Sequence, residues 1–364
     1  MRVKLEELVE EVSERTTINN QHPVLTSSRS GIYLQEDYFK KQVASKDNTG
    51  YKVIRKGEFT YRAMSDTGEF YPNKLECTNI GIVSPAYPVF KIKDNRILPD
   101  YLKYYFKSRL FQKSITAFVQ GSTRASMKFG KMKSISIDLP DKDKQNQILN
   151  IIEILESTID KYKLEIDYLD NLIKARFVEM FDNFEKVNLS DLAIVTMGQS
   201  PTSDSYNDSG DGLPFFQGKA DYGDKYTIVR HYTNKPTKIV EYGTVLMSVR
   251  APVGPVNIAS EKCCLGRGLC GINAKPEVSN NEFIFNAIRA MENEISQKGT
   301  GSTFKAISKT DILEIKVPQA PIQIQNKFAD FVTQVDKSKF AISTTQYIYD
   351  EILLRLSDSL WHNA

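Results

Sequence analysis

Residues 145–180 read QNQILNIIEILESTIDKYKLEIDYLDNLIKARFVEM, and this stretch decides the fold. Apolar residues fall at Ile148, Ile152, Leu155, Ile159, Tyr162, Ile166, Leu169, Ile173 and Met180. Steps of three and four mark a stripe along an α-helix, and a heptad seam of this kind wants a partner helix. Adding 180 to each number gives Phe328, Val332, Val335, Lys339, Ile342, Gln346, Tyr349, Leu353 and Leu360. Seven of these nine are apolar, so a second seam runs in register with the first. The same offset carries Gly121-Ser122-Thr123 onto Gly301-Ser302-Thr303 and Gln145-Asn146 onto Gln325-Asn326. It also carries Ile135 and Ile137 onto Ile315 and Val317, which reads as one strand used twice. The pattern predicts an α+β chain in which two similar globular domains are held apart by two long helices packed on each other. Two readers at a fixed separation suit a target with two sites at a fixed separation. Lys339 and Gln346 stand where the first copy has Ile159 and Ile166. Polar residues in a seam fix its register or mark where it opens toward another subunit, unless they are ordinary irregularities.

Working outward, the expected domains are 1–141 and 183–322, each followed by a helical segment, 142–182 and 323–364. Pro140 and Pro321 break the chain ahead of the helices. The first helix is expected over 145–182, roughly 57 Å at 1.5 Å per residue, and the second ends near Trp361. Each half opens alike, with Val3, Leu5 and Leu8 matched by Val187, Leu189 and Leu192, a short strand and a helical turn. Ser190-Asp191 suits a helix start. Strands are expected at 51–54, 59–61, 82–92, 238–240, 244–249 and 256–258, and helices near 99–118 and 280–297. Residues 200–213 read as a long polar loop.

Composition allows real cores, with 41% apolar and 26% charged residues over 364. No apolar run reaches 18 residues, so no membrane helix is expected. The charged start lacks an apolar signal core, which points to the cytoplasm. The cysteines Cys77, Cys263, Cys264 and Cys270 form no Cys-x-x-Cys pair and lie far from the histidines, which argues against zinc. The net charge of +3 is uneven: +8 over 1–140, −4 over 141–182, zero over 183–322 and −1 over 323–364. A basic first half suits phosphate contact, or is simply a solvated surface.

Catalytic signatures are absent: no phosphate-binding loop, no dinucleotide fingerprint, no His-Glu-x-x-His and no Gly-x-Ser-x-Gly. Asp311, Glu314 and Lys316, on an expected strand, resemble the carboxylates and lysine of a metal-dependent nuclease. The repeat argues against that, because the first copy has Lys131, Ser134 and Ser136 there. A non-catalytic scaffold with two protein-binding domains is a further alternative, and salt-dependent DNA binding would count against it.

Longer stretches carry a resemblance. The first half holds YKVIRKGEFTYR at 51–62 and GIVSPAYPVFKI at 81–92, and the second holds GTVLMSVRAPVGPVNI at 243–258. LPDKDKQNQI at 139–148 is similar to a Leu-Pro-Pro-Leu-x-x-Gln-x-x-Ile lead-in to a spacer helix, with Asp141 in place of the second proline. PIQIQNKF at 321–328 is its weaker twin, with Phe328 for Ile. Together with the order domain–helix–domain–helix, these resemble the specificity subunit of type I restriction–modification systems. The resemblance implies two target-recognition domains that each read half of a bipartite site in double-stranded DNA. It implies spacer helices packed as an antiparallel coiled coil with pseudo-two-fold symmetry, which set the gap between half-sites. Two methyltransferase subunits would dock there and bring S-adenosylmethionine. Restriction subunits, where the system has them, would bring ATP and Mg. The chain itself would bind no cofactor or metal and carry no catalytic residue.

Base readout needs side chains that reach base edges with donors and acceptors. The candidates are Ser28, Arg29, Tyr61 and Arg62 in the first domain and Gln217, Lys219, Arg250 and Arg267 in the second. Arg250 follows an expected strand and precedes a Pro-Val-Gly-Pro turn that would hold it outward. Arg124, Lys128 and Lys305 follow the two Gly-Ser-Thr copies and suit phosphate contacts, which position without specifying.

Overall fold

The computed structural model describes residues 1–39, 45–118, 125–298 and 306–362, leaving the side chains of 298 and 353–362 undescribed. Both Gly-Ser-Thr copies lie outside the described residues, as do the side chains of Leu353 and Leu360. The chain divides into two compact units, Met1–Lys163 with Thr344–Ala364, and Leu164–Ser343. This division cuts both long helices near their middles. The helices are Lys142–Phe181 and Ile322–His362, 40 and 41 residues long. The first begins three residues ahead of the expected Gln145. The Asp141 carboxylate explains this, because it accepts the Lys144 N–H at 2.8 Å and satisfies one orphan donor of the first turn.

In the second unit, Asp170 lies 3.1 Å from Lys339, and the rings of Phe177 and Phe328 are 5.4 Å apart. One index rises while the other falls, so the helices run antiparallel there. In the first unit the Tyr162 and Tyr349 rings meet at 5.8 Å. The apolar stripe serves two partners. Ile148 and Ile152 are buried in the core of the first domain. Ile173, Phe177 and Phe181 enter the core of the second, together with Phe328, Val332 and Val335 of the other helix. The stripe is therefore wider in role than a coiled-coil seam: its ends anchor the domains.

In each unit a strand at the domain's start pairs antiparallel with one at its end. Arg2–Lys4 pairs with Ser136–Asp138, with Val3 opposite Ile137. Lys186–Asn188 pairs with Lys316–Pro318, with Val187 opposite Val317. The repeated Ile137 and Val317 are thus one structural position, a buried residue of each domain's closing strand. The first domain has a four-stranded sheet ordered Val9–Glu11, Val89–Ile92, Phe59–Thr60, Asn73–Lys74. Its core is aromatic, with Phe59, Phe90, Phe106, Phe111 and Tyr101 almost fully buried. The second domain has a four-stranded sheet ordered Ala193–Met197, Leu269–Ala274, Val245–Ser248, Val256–Ile258. It also has a five-stranded sheet ordered Tyr206–Asn207, Tyr232–Thr233, Leu213–Phe216, Cys263–Leu265, Ile239–Val240.

Several local expectations are corrected. The single β segment over 82–92 is two strands, Ile80–Val83 and Val89–Ile92, in different sheets. The helix over 99–118 breaks at Ser108, whose hydroxyl accepts the Phe111 N–H and starts a second helix, Arg109–Ile115. The turn Leu189–Leu192 has its N-cap at Asn188, two residues before Ser190, with Asp191 accepting the Asn188 N–H at 3.1 Å. The polar stretch 200–213 is partly structured. It contains the turn Ser203–Ser205 and the edge strand Tyr206–Asn207.

The repeated glutamines are buried latches. Gln145 is fully buried; its amide donates to the carbonyls of Arg96 (2.8 Å) and Pro140 (2.9 Å) and accepts the Leu98 N–H at 2.8 Å. Gln325, equally buried, donates to Val278 (3.1 Å) and Ala320 (2.7 Å) and accepts from the Ser279 hydroxyl at 2.8 Å. Each amide thus ties the first turn of a long helix to the segment leading into a domain helix, Pro99–Lys107 or Asn281–Ala290. Gln325→Leu strands these buried groups without partners. It is expected to lower stability by about 1–3 kcal/mol, measured by denaturant unfolding of the full chain.

Candidate nucleic-acid interface

In the second unit four candidates converge. Gln217, Lys219, Arg250 and Arg267 line one cleft of about 200 Å³, with Ser200, Ser248 and the glycines Gly218 and Gly268. Sheet topology explains the convergence. Leu213–Phe216 and Cys263–Leu265 are parallel neighbours, with Phe215 opposite Cys264 and Phe216 opposite Leu265. Parallel strands end at the same edge, so Gln217 and Lys219 emerge beside Gly266, Arg267 and Gly268. Val245–Ser248 runs antiparallel to Leu269–Ala274, placing Ser248 opposite Leu269. The chain beyond Ser248 therefore passes the same edge, and the Val249 N–H donates to the Gly268 carbonyl at 2.9 Å. Arg250 sits two residues past that strand, in a loop closed where the Gly254 N–H meets the Ser248 carbonyl at 3.0 Å.

Backbone fills the floor of this cleft. A Cβ on Gly268 would lie 2.2 Å from the Gln217 carbonyl oxygen, and one on Gly198 2.2 Å from that of Gly266. Only glycine allows so close a stacking of three loops. Asp221 is buried and accepts the N–H groups of Gln217 (2.6 Å) and Gly218 (3.2 Å), which sets the loop that bears Lys219. Ser200 accepts the Arg267 N–H at 3.1 Å. Gln217, Lys219, Arg250 and Arg267 are all exposed. Among the described residues Lys219, Arg250 and Arg267 have no carboxylate within salt-bridge distance, so the mouth is cationic. Ser200, Ser248 and the glycine floor were not singled out from the sequence, because nothing local marks a residue that matters through a parallel neighbour 50 residues away.

In the first unit Ser28, Arg29 and Arg62 line an open cleft of about 680 Å³. Ser28 and Arg29 sit in the turn of the hairpin Leu25–Ser27/Ile32–Leu34, closed by the Ser28 N–H to the Gly31 carbonyl at 2.9 Å. Asn73 pins this turn by donating to Ser27 Oγ (3.1 Å) and the Ser28 carbonyl (2.8 Å). Arg29 lies over the Tyr71 ring at 5.2 Å and 3.6 Å from Glu69. Burial, and then the Glu69 carboxylate holding the phenol proton, push the Tyr71 pKa up to about 12, so it stays a neutral donor. Arg62 is exposed just beyond the strand Phe59–Thr60. The cleft also presents Gln35, Tyr38, Asp66 and Thr67, which the sequence did not single out.

Tyr61 is a correction. It is fully buried, its ring packs against Phe70 and Phe90, and its hydroxyl donates to the Met127 carbonyl at 3.0 Å. It lies just past the strand Phe59–Thr60 with its ring among the core aromatics, so this tyrosine builds the core and does not line the cleft. Lys128 is exposed at the start of the short helix Phe129–Lys133 and does not line the cleft. Arg124 and Lys305 lie outside the described residues. The nuclease arrangement is also corrected. Asp311 belongs to the helix Lys309–Leu313, where its carboxylate accepts the Ser308 N–H at 3.1 Å and its hydroxyl at 2.5 Å. Only Lys316 of the three lies on a strand. Among the described residues no group of His, Cys, Asp and Glu could hold a metal. Nor is any of their helices long and apolar enough to cross a membrane.

Comparison with known proteins places the chain in a family. The model of the type I restriction modification DNA specificity domain matches residues 3–167 and 182–352. The chain belongs to this family. Within it, the chain is 34% identical over 265 residues to a Methanocaldococcus jannaschii protein assigned as the MjaX type I restriction enzyme specificity subunit. It is 26% identical over 183 residues to the Haemophilus influenzae HindI specificity subunit. These matches take in 66% and 46% of this chain, and 62% and 38% of the relatives' lengths. A solved chain from work on assembly and conformational transition of a type I restriction–modification system superposes with a TM-score of 0.67 at 23% identity. That match covers 99% of this chain and 97% of the other, which establishes a shared fold.

Proposed function

We propose that the chain is the non-catalytic DNA-recognition subunit of a type I restriction–modification complex. The observation that carries this is the cationic cleft of the second unit, where Gln217, Lys219, Arg250 and Arg267 reach one edge of a sheet in a specificity-family chain. Arginine, lysine and glutamine are the side chains that pair with base edges in the major groove. Ser28, Arg29 and Arg62 play the same part in the first unit, and Lys128, with Arg124 and Lys305, holds phosphate. The bound partner is bipartite double-stranded DNA. Two methyltransferase subunits carry S-adenosylmethionine, and restriction subunits, where present, carry ATP and Mg; this chain holds none of these. Exposed apolar side chains on the long helices, including Ile154, Tyr168 and Phe340, suit subunit docking. The proposal places the protein with the chromosome, in the cytoplasm.

Replacing residues 183–322 with another recognition domain tests the reading. The expected result, read by sequencing methylated sites, is that one half of the motif changes and the other stays. If both halves change, or if no bipartite site is methylated with the partner present, the proposal is wrong.

A further inference from the structure

The Lys339 side chain, in the midst of a mostly apolar stripe, is only 12% exposed. It lies 3.1 Å from Asp170 on the other long helix and 3.4 Å from Asp224 in a loop of the second domain. Asp170 is also 3.4 Å from Arg289, on the domain helix Asn281–Ala290. Beside them, Lys225 stands between Glu282 of that domain helix (2.8 Å) and Asp336 of the second long helix (2.5 Å). Burial works against the Lys225 charge, yet Glu282 and Asp336 hold its pKa above the usual lysine value. Seven charged groups thus join four segments of one unit: a loop, a domain helix and both long helices.

At the equivalent position of the repeat the first copy has Ile159, which is buried. An aliphatic side chain is therefore sufficient to pack the stripe. Apolar contact is non-directional and tolerates small rotations. A half-buried ion pair does not, because a displaced partner leaves a charge unpaired away from water. We propose that Lys339, Asp170, Lys225 and Asp336 form an ionic clamp that fixes the rotational setting of the second domain on the helix pair. The clamp thereby restricts the gap between half-sites that the protein accepts. The second clause rests on the recognition function proposed above.

Two measurements test the clamp on the full chain. The first uses Lys339→Ile, which installs the residue of the first copy, with the methyltransferase partner and duplexes of varied central gap. Expected is a several-fold loss of preference for the native gap over its neighbours, with both half-site sequences read as before and Lys339→Arg restoring the preference. The second needs no DNA. Spin labels at Tyr168→Cys and Tyr242→Cys, both exposed positions of this unit, in a Cys77→Ser background should give a broader distance distribution in Lys339→Ile. If Lys339→Ile does not fold, Asp336→Asn serves in both. An unbroadened distribution overturns the clamp. A broadened distribution with unchanged gap preference overturns its link to the gap. A wild-type complex that methylates no bipartite site overturns the recognition function instead, while the label distances still judge the clamp.

Discussion

Arg250→Ala is expected to weaken binding to the cognate duplex by ~1–3 kcal/mol more than binding to a scrambled duplex. The guanidinium is exposed at the mouth of the second unit's cleft, in a loop pinned at both ends by backbone hydrogen bonds. The pinned backbone of this loop has little freedom to lose on meeting a base, and among the described residues no carboxylate lies within salt-bridge distance of Arg250. Its removal should relax the sequence preference at one position of one half-site. Lys128→Ala is the control. An exposed lysine outside both clefts, if it meets phosphate, contributes to all sequences alike. Equilibrium binding at two salt concentrations separates the cases, since loss of a phosphate contact also lowers the salt slope by about 1. A uniform loss for Arg250→Ala would return that residue to the phosphate or structural class.

Lengthening both long helices is expected to lengthen the preferred gap. Four residues inserted in each helix add roughly 6 Å at 1.5 Å per residue, near two base-pair steps of about 3.4 Å. Placement matters. The helices run antiparallel, with Lys339 meeting Asp170 and Tyr349 meeting Tyr162. Insertions after Lys163 and after Ser343 fall at the divisions between the compact units and leave the contacts within each unit intact. Four residues exceed one helical turn by about 40°, so the stripe should partly survive. The doubly extended protein, with its partner, should methylate sites whose gap is longer by about one or two base pairs. An insertion in one helix alone should destabilise the pair. A folded, doubly extended variant that still methylates only the original spacing would refute the ruler.

Local patterns in the sequence were enough for several features, each with a local physical cause. The stripe from Ile148 to Met180 and its copy at an offset of 180 mark two helices because helical periodicity is a property of neighbours a few residues apart. Pro140 and Pro321 place their starts to within a few residues; the residual error came from Asp141, whose capping hydrogen bond extends the first helix. The strand at 256–258 and the closing strand around Ile137 and Val317 follow from the same local reasoning.

What the tertiary structure decided are the relations between distant segments. The repeat aligns Leu169 with Tyr349, but antiparallel packing sets the neighbouring Asp170 against Lys339. Sequence offset records duplication, not contact. Gln145 and Gln325 were visible as a repeated letter, and only their buried hydrogen bonds show why glutamine is needed there. Tyr61 read as a base-reading tyrosine on an expected strand, and the core claimed it because Phe70, Phe90 and the Met127 carbonyl, outside that strand, surround it. Gln217, Lys219, Arg250 and Arg267 were legible by side-chain chemistry and, for Arg250, by its place between an expected strand and a turn. Their meeting at one edge depends on the parallel pairing of Leu213–Phe216 with Cys263–Leu265 and on glycines that let three loops touch. Side-chain type and local period are written residue by residue, whereas a cleft exists only where the fold brings separate strand ends together.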